Sequence, residues 1–301
     1  MISSNLGEIA ALATAVFWSA SYVFFTVAVR RLGASLLNRV RLTIALGLLL
    51  IAHLIVHKTL LPFGAEAWRW GWLILSGVIG FAISDALMFR ALWHLGAHRT
   101  SLVMALIPLV SALLAWVTLG EELTTLQMAG ALVAMGGITL VISSRRPEAD
   151  TSNDGRRASF GVLCALGAVL TQSGRYILSK EGMMGGFPVL STSIIQILAA
   201  ATAVWLMAAL RGKIGRNIGS LRSPAAALST IVGSIAGPFL GVNFSLLALA
   251  AAPVGIASTL MAMPPVFILP ISYFVFKEKI TLRAAVGTTL AIGGMAWLFL
   301  V

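Results

Sequence analysis

Charged side chains are scarce in this chain, and their scarcity excludes a soluble globular domain. Of its 301 residues, 10% are charged and 59% are hydrophobic, with a mean hydropathy of +0.97. Soluble domains carry roughly 25% charged residues. The single cysteine, Cys164, also excludes an internal disulfide and a cysteine-based metal site, and we expect it to serve in packing. The composition therefore predicts a protein embedded in a lipid bilayer.

Apolar runs of membrane-spanning length fill almost the whole chain. About 20 helical residues cross the roughly 30 Å of hydrocarbon in a bilayer. The first run has neither the basic flank nor the cleavage site of a signal peptide, so we expect it to be retained. The pattern predicts an all-α integral membrane protein with ten transmembrane helices, at 7–29, 34–56, 70–93, 100–119, 125–143, 159–179, 187–210, 225–249, 253–276 and 281–301.

Positive charge follows the breaks between the helices. The formal net charge of +11 would suit nucleic acid, but the Lys and Arg residues form no long basic arm. Seventeen of the 21 lie at odd-numbered breaks, counted from the one between the first and second helices, whereas Lys58, Arg69 and Lys180 lie at even-numbered breaks. Because positive flanks stay in the cytoplasm, this distribution predicts that both termini face outward and that no nucleic acid is bound.

The second half of the chain repeats the first. The stretch SLVMALIPLVSALLAWVTLGEELT at 101–124 returns as STLMAMPPVFILPISYFVFKEKIT at 258–281, an offset of 157 residues, and closer to the N-terminus the offset is 154. The polar linker 144–158 separates a first five-helix repeat, 1–143, from a second, 159–301. Because five is odd, the second unit enters the membrane from the opposite side. This predicts two inverted repeats with a substrate site between them, as in alternating-access transporters.

Several motifs resemble those of a known family. Each unit has a proline-containing helix followed by GEELTTLQMAGALVAMGG or KEKITLRAAVGTTLAIGG, Arg41 lies in NRVRLTIA, and RALWHLGAHRTSL leads into the fourth helix. Over nearly the whole chain these features resemble the EamA family of the drug/metabolite transporter superfamily. The resemblance implies a ten-helix secondary carrier, often an exporter of amino acids or other small metabolites. It also implies cytoplasmic termini, whereas the charge distribution predicts the opposite.

Two charged residues lie deep inside apolar runs, Asp85 in the third and Arg175 in the sixth. A charge at this depth is costly and indicates function by default. Asp85 is therefore the candidate ion-coupling residue, as a proton carrier, and a structural ion pair with an arginine is the alternative. Arg175, whose repeat partner is Ser21, is either the group that binds an anionic part of the substrate or the counter-ion of Asp85.

Polar and aromatic residues elsewhere in the bundle complete the predicted substrate site. Pockets combine aromatic side chains with a few polar groups, although a single polar residue in a bundle more often holds helices together. Prolines should interrupt the fourth and ninth helices and act in gating, because proline lacks an amide donor. The candidates are Arg175, Trp18, Ser19, Tyr22, Gln172, Tyr176, Gln196 and Asn243 for binding, and Pro108, Pro264, Pro265 and Pro270 for the interruptions.

The remaining motifs are interpreted as structural. Glu121 and Glu278 lie where one helix ends and the next begins, and Thr124 and Gln127 have the spacing of a capping box, so we expect helix capping and no proton relay.

Two other spacings are interpreted in the same way. The pairs His53–His57 and His94–His98 have no further ligands nearby, which favours positioning at the membrane interface over a metal site. Small residues at i, i+4 and i+7 predict close helix packing within one monomer, in preference to contact between two: Gly130, Ala134 and Gly137, and Gly287, Ala291 and Gly294.

Together these observations predict a secondary active transporter that exports an amino-acid-like or other small organic solute. Its partners are that solute, the lipid bilayer and, as the candidate coupling ion, protons; oligomeric state stays open. No nucleophile, base and orienting group come together in the sequence, so we expect no enzyme, cofactor or metal. A structural or assembly membrane protein is the alternative. The expected location is a cell membrane, in particular a bacterial inner membrane.

Overall fold

The protein is built from helices that follow its apolar runs. The computed structural model describes residues 5–143, 155–212, 214, 219, 221, 223–268 and 281–300, and these residues include no strand. In chain order the elements are α1 Leu6–Leu32, α2 Ala34–His57, α3 Ala67–Gly77, the π-helix π1 Val78–Ser84, α4 Asp85–Met104, α5 Ile107–Leu119, α6 Thr125–Ser143, α7 Gly155–Gly182, α8 Val189–Leu210, α9 Pro224–Ser234, the π-helix π2 Ile235–Gly241, α10 Val242–Ala251, α11 Val254–Met261 and α12 Leu282–Leu300.

The lengths of these helices suit a membrane protein. Over the described residues, seven helical spans are long and apolar enough to cross a bilayer, and three apolar helices are shorter: Ile107–Leu119, Val254–Ile268 and Leu282–Leu298. The first of the short helices has Pro108 as its second residue, and the second is interrupted at Ala262 and Met263, immediately before Pro264 and Pro265. The chain is therefore a multi-pass, all-helical membrane protein.

The break expected at 94–99, between the third and fourth helices, does not occur. The helices α3, π1 and α4 continue into one another from Ala67 to Met104, and the chain turns at Ala105 and Leu106 instead. Residues 94–99 contain no proline, so each of their amides can donate along the helix. Pro108 cannot donate to the carbonyl of Met104, and the helix is interrupted next to it.

Helix boundaries recur at the offset found in the sequence. The pair α3–π1, 67–84, corresponds to α9–π2, 224–241, at 157 residues, and α6 corresponds to α12 at the same offset. A π-helical turn is rare and is frequently found at functional sites. The repeated sequence thus forms the same uncommon local structure twice.

The helices α6 and α12 pack closely through their small residues. A Cβ added at Gly137 would overlap the backbone of Ala291 and lie 2.6 Å from the carbonyl oxygen of Gly287. One added at Gly294 would lie 2.5 Å from the backbone nitrogen of Ala134. Glycine is therefore required where the two backbones meet. The prediction that these small residues pack within one monomer is confirmed.

Candidate functional site

Asp85 is paired with Arg41 inside the bundle. Asp85 is the first residue after π1, and its carboxylate forms an ion pair with the guanidinium of Arg41 on α2; each side chain is 17% exposed. Arg41 also donates from Nε to Oδ1 of Asn38 at 2.7 Å, and Nδ2 of Asn38 donates to the carbonyl of Phe81 in π1 at 3.4 Å. Asp85 therefore forms its ion pair with Arg41, in line with the alternative of a structural pair with an arginine, while Arg175 lies close enough to interact with Asp85 electrostatically. Arg41 lies 44 residues before Asp85 in the chain. The sequence analysis counted it among the basic residues at helix breaks and noted it in the family resemblance, but did not identify it as the partner of Asp85.

Arg175 is buried and has no hydrogen-bond partner for its guanidinium among the described residues. Its side chain is 0% exposed, and Nε, Nη1 and Nη2 are all unpaired. The guanidinium carbon lies 4.9 Å from the ring centroid of Phe81 and 4.7 Å from that of Tyr176. These cation–π contacts offset part of the cost of burial but accept none of the N–H groups.

Gly80 makes the space in which the side chain of Arg175 lies. A Cβ at Gly80, within π1, would overlap Cδ of Arg175 and lie 2.6 Å from its Cγ. At the equivalent place in π2, a Cβ at Gly237 would instead overlap the hydroxyl of Ser21. Ser21 is the repeat partner of Arg175. The two π-helices therefore place equivalent glycines, Gly80 and Gly237, against equivalent residues of α7 and α1. Of these two residues, only Arg175 is charged.

Three aromatic or amide side chains predicted for the site lie in this region. Tyr22 on α1 is 48% exposed and close enough to Asp85, Arg41 and Tyr176 to interact with them electrostatically. Nε2 of Gln172 donates to the hydroxyl of Tyr176 at 3.3 Å. The indole of Trp18 on α1 packs against Gly241 of π2, and Trp18 belongs to the same hydrophobic cluster as Phe81 and Tyr176. We use the term central cluster for the set defined by Trp18, Tyr22, Arg41, Phe81, Asp85, Gln172, Arg175 and Tyr176.

Two other predicted binding residues make contacts between helices instead. The hydroxyl of Ser19 bonds to the carbonyl oxygen of Ala15 at 2.6 Å and to that of Pro264 at 3.4 Å. Asn243 accepts from Ser193 at 2.8 Å and donates to the carbonyl of Phe239 at 2.6 Å. Their polar groups are therefore occupied within the protein in this conformation.

The contact made by Ser19 has a counterpart in the other half of the chain. Ser173, which follows Ser19 by 154 residues, donates to the carbonyl of Ile107 at 3.3 Å. Ile107 precedes Pro264 by 157 residues, so each serine reaches the carbonyl beside an interrupted helix in the opposite half. The 154-residue offset makes Ser19 and Ser173 equivalent in sequence, but it gave no indication of this pairing.

A buried hydrogen-bond network lies next to Arg175. Nε2 of Gln196 on α8 donates to the hydroxyls of Ser76 at 3.1 Å and Ser179 at 2.8 Å, and both hydroxyls also bond to the carbonyl of Arg175. The network joins α3, α7 and α8 and fixes the backbone from which the guanidinium projects. Gln196 was a candidate from the sequence, whereas Ser76 and Ser179 were not.

Glu121 connects three junctions at the ends of helices. Its carboxylate lies 2.5 Å from Nζ of Lys180 and accepts the amide of Val254 at 2.6 Å, which caps α11. Lys180 also donates to the carbonyl of Ala252 at 2.9 Å. A cavity of about 490 Å³ adjoins this pair and is otherwise lined mainly by apolar residues, among them Leu119, Met183 and Phe187.

The predicted capping box at the start of α6 is confirmed. The amide of Thr124 donates to Oε1 of Gln127 at 3.0 Å, and the amide of Gln127 donates to Oγ1 of Thr124 at 3.2 Å. Glu121 caps a helix, as expected, but that helix is α11 and not the one that follows it. Glu278 and Pro270 lie outside the described residues.

Two of the histidines contact residues of other helices. His53 is buried, with Nδ1 2.6 Å from the carbonyl oxygen of Thr59 and Nε2 3.0 Å from Oγ of Ser191. The ring of His94 packs edge-on to Phe160. No group of three His, Cys, Asp or Glu side chains that could hold a metal ion occurs in the part of the chain that the structure describes.

Comparison with known proteins identifies relatives over the whole chain and over part of it. A sequence model of the EamA-like transporter family matches residues 5–143 and, a second time, residues 159–300. A probable terminal-alkyne amino-acid exporter from Streptantibioticus cattleyicolor is 31% identical over 131 residues, which span 42% of this chain and 42% of that relative's length. A crystal structure with 21% sequence identity superposes with a TM-score of 0.77 over 98% of this chain and 96% of its own, so the two share a fold.

Proposed function

Because the chain belongs to the EamA-like transporter family, we propose that it is a secondary active transporter that exports a small organic solute by alternating access. The observation that carries this proposal is the central cluster, which places two arginines and an aspartate among apolar helices. Charged residues are rare within membrane spans and mark the pathways of substrates and ions. The cluster draws on α1, α2, π1 and the first residue of α4 from the first half and on α7 from the second.

The repeated structure supports alternating access. In this proposal the segments 1–143 and 159–301, joined by the linker 144–158, act as two inverted five-helix repeats with ten membrane spans. Each half contributes one π-helix and one helix interrupted beside proline, at Pro108 and at Pro264–Pro265. Equivalent elements in both halves allow two arrangements of similar energy, one open to each side of the membrane. The interruptions give the chain places to bend, because a proline cannot donate to the carbonyl one turn before it.

We assign substrate binding to the central cluster, with Arg175, Tyr176, Tyr22, Trp18 and Gln172 as the contacting residues. Ser19 and Asn243 act from behind it by holding the helices in register. The relative from Streptantibioticus cattleyicolor is named as an exporter of an amino acid, which supports an amino-acid-like solute here. Aromatic walls with a few polar groups suit a solute of that size.

Asp85 is the proposed site of proton coupling. Its carboxylate holds Arg41, so protonation of Asp85 would remove the charge that fixes Arg41 and π1 relative to each other. A proton that enters by this route would change the structure next to the substrate site. The coupling therefore needs no second site elsewhere in the bundle.

The distribution of Lys and Arg favours an orientation in which both termini lie on the non-cytoplasmic side of a bacterial inner membrane. An alkaline phosphatase fused after Val301 should then be active, and a fluorescent cytoplasmic reporter at the same place should be dark. The opposite result would support cytoplasmic termini.

Transport is tested by counterflow in proteoliposomes that contain the purified full-length protein. Solutes are first selected by thermal stabilisation from amino acids, nucleosides, sugars and aromatic acids. Vesicles loaded with a selected solute should accumulate the labelled solute transiently from outside, and protein-free liposomes serve as the control. Stabilisation by a solute without any exchange would contradict transport and would favour a structural or assembly role in the membrane.

A further inference from the structure

The central cluster holds an uncompensated positive charge. Arg41 and Arg175 contribute two cations, and Asp85, which is bound to Arg41, contributes one anion. All three nitrogens of Arg175 lack a hydrogen-bond partner among the described residues, and none of its surface is exposed. Asp85 and Tyr176 lie within electrostatic range of Arg175, but the carboxylate of Asp85 is already paired with Arg41. Burial of an unpaired ion costs several kcal/mol in a protein. A buried charge that is retained despite this cost indicates a function in which an anion binds to it.

The surroundings of Arg175 indicate what kind of anion would fit. Its planar fork of N–H donors matches the two oxygens of a carboxylate, which it can bind in a bidentate manner. The rings of Phe81 and Tyr176, with centroids 4.9 and 4.7 Å from the guanidinium carbon, provide apolar walls for the body of a small molecule. The same rings cover Arg175, so a ligand reaches it only after they move.

We propose that Arg175 is the binding site for the carboxylate of the transported solute. This assignment rests on the proposed transport function and adds the chemical class of the substrate. With one carboxylate bound, the formal charges of Arg41, Arg175, Asp85 and that carboxylate sum to zero. Closure of the apolar helices around the loaded site is then less costly than closure around the empty one. The carboxylate therefore favours the occluded state through which the solute must pass.

Gly80 offers a way to displace Arg175 without removing its charge. A methyl group at Gly80 would overlap the stem of Arg175, so Gly80→Ala must move the guanidinium. The matched control is Gly174→Ala on α7, directly beside Arg175 in sequence, because nothing lies within 4 Å of a Cβ added there. Both variants keep every charged residue of the cluster.

The test measures thermal stabilisation of the purified full-length protein by two matched pairs of probes, L-leucine with L-leucinamide and benzoate with benzamide. Carboxylates should stabilise the wild type more than the corresponding amides. Arg175→Met should lose this preference, with roughly a ten- to hundredfold drop in carboxylate affinity, as expected for a charge-assisted hydrogen bond. Arg175→Lys should retain part of it, Gly80→Ala should lose most of it, and Gly174→Ala should keep it.

The stability of the ligand-free variants separates binding from a structural role. If Arg175 is unpaired, Arg175→Met should melt at or above the wild-type temperature, because the substitution removes a buried, uncompensated charge. A lower melting temperature that is restored by adding Asp85→Asn would make Arg175 a counter-ion and would overturn the proposal. Equal stabilisation by acids and amides, or no stabilisation by either acid, would also overturn it.

Counterflow distinguishes failure of this assignment from failure of the transport function. Exchange of a neutral solute, unaffected by Arg175→Met, would leave the transport proposal standing and remove Arg175 from recognition. Conversely, carboxylate-dependent stabilisation that disappears in Arg175→Met supports the anion site even where no exchange is measured.

Discussion

The contact between α6 and α12 gives a stability prediction with its own control. In Gly294→Ala, the new Cβ would lie 2.5 Å from the nitrogen of Ala134 and 2.8 Å from the carbonyl oxygen of Gly130. Ordinary contact begins at 3.4 Å. The two helices must therefore separate locally by about 0.9 Å, and overpacking of this kind typically costs about 1–3 kcal/mol.

The adjacent residue, Gly293, is the control because a Cβ there meets nothing within 4 Å. Alanine is favoured over glycine in a helix by about 1 kcal/mol at either position. This gain is common to both variants, so their difference isolates the steric term. We expect Gly294→Ala to be less stable than Gly293→Ala by about 1–3 kcal/mol, and to melt several degrees lower.

The measurement is thermal unfolding of the two full-length variants in the same detergent, followed by tryptophan fluorescence. The equivalent pair in α6, Gly137→Ala and Gly136→Ala, should show the same order, because Gly137 meets Ala291 and Gly136 faces open space. Coincident melting curves within both pairs would refute the close packing of α6 against α12.

Three further predictions concern charged residues. Asp85→Asn should abolish the accumulation of solute that a pH gradient drives in vesicles, yet leave part of the solute exchange. Asparagine keeps the shape of the side chain but cannot take up or release a proton. Full accumulation by this variant would exclude Asp85 from coupling. Lys180→Met should lower the unfolding free energy by about 1–3 kcal/mol because Glu121, partly buried, loses its counter-ion and keeps only the amide of Val254, whereas Lys180→Arg should stay near wild type. A hydrogen bond from its own backbone and another from Arg69 lower the pKa of Glu66 below its ordinary value of 4.5. The contribution of Glu66 to stability is therefore present above pH 4.5 and is lost as the pH falls through the lowered pKa. In Glu66→Gln, a pH series of melting temperatures should lack this loss at acid pH.

Much of the fold was predictable because the bilayer imposes strict rules on sequence. A helix that crosses hydrocarbon must be about 20 residues long and apolar, and these requirements are visible in composition and spacing. The small residues of α6 and α12 were also recognisable, since close approach of two helices in lipid requires glycine or alanine. The boundary at 94–99 was misplaced because polarity is a weaker signal for a helix end than the missing amide of Pro108.

The site was only partly predictable. Asp85 and Arg175 could be singled out because an isolated charge in an apolar run is costly, and that cost is a property of the local sequence. Which arginine binds Asp85 could not be deduced, because Arg41 and Arg175 lie on different helices and the choice depends on how those helices pack. For the same reason, Ser19 and Ser173 could not be recognised as contacts to the carbonyls of Pro264 and Ile107.

The sequence by itself determined the helices, the repeat and the residues whose burial would be expensive, because each of these follows from local composition or from an offset along the chain. Only the tertiary structure decided that Asp85 forms its ion pair with Arg41 and that the guanidinium of Arg175 makes no hydrogen bond to a described residue. Both results depend on π1, which places Gly80 against the side-chain carbons of Arg175 and places Asp85 next to Arg41. Pairing between charges depends on distances of a few ångströms between helices, and those distances are fixed by packing rather than by spacing along the chain.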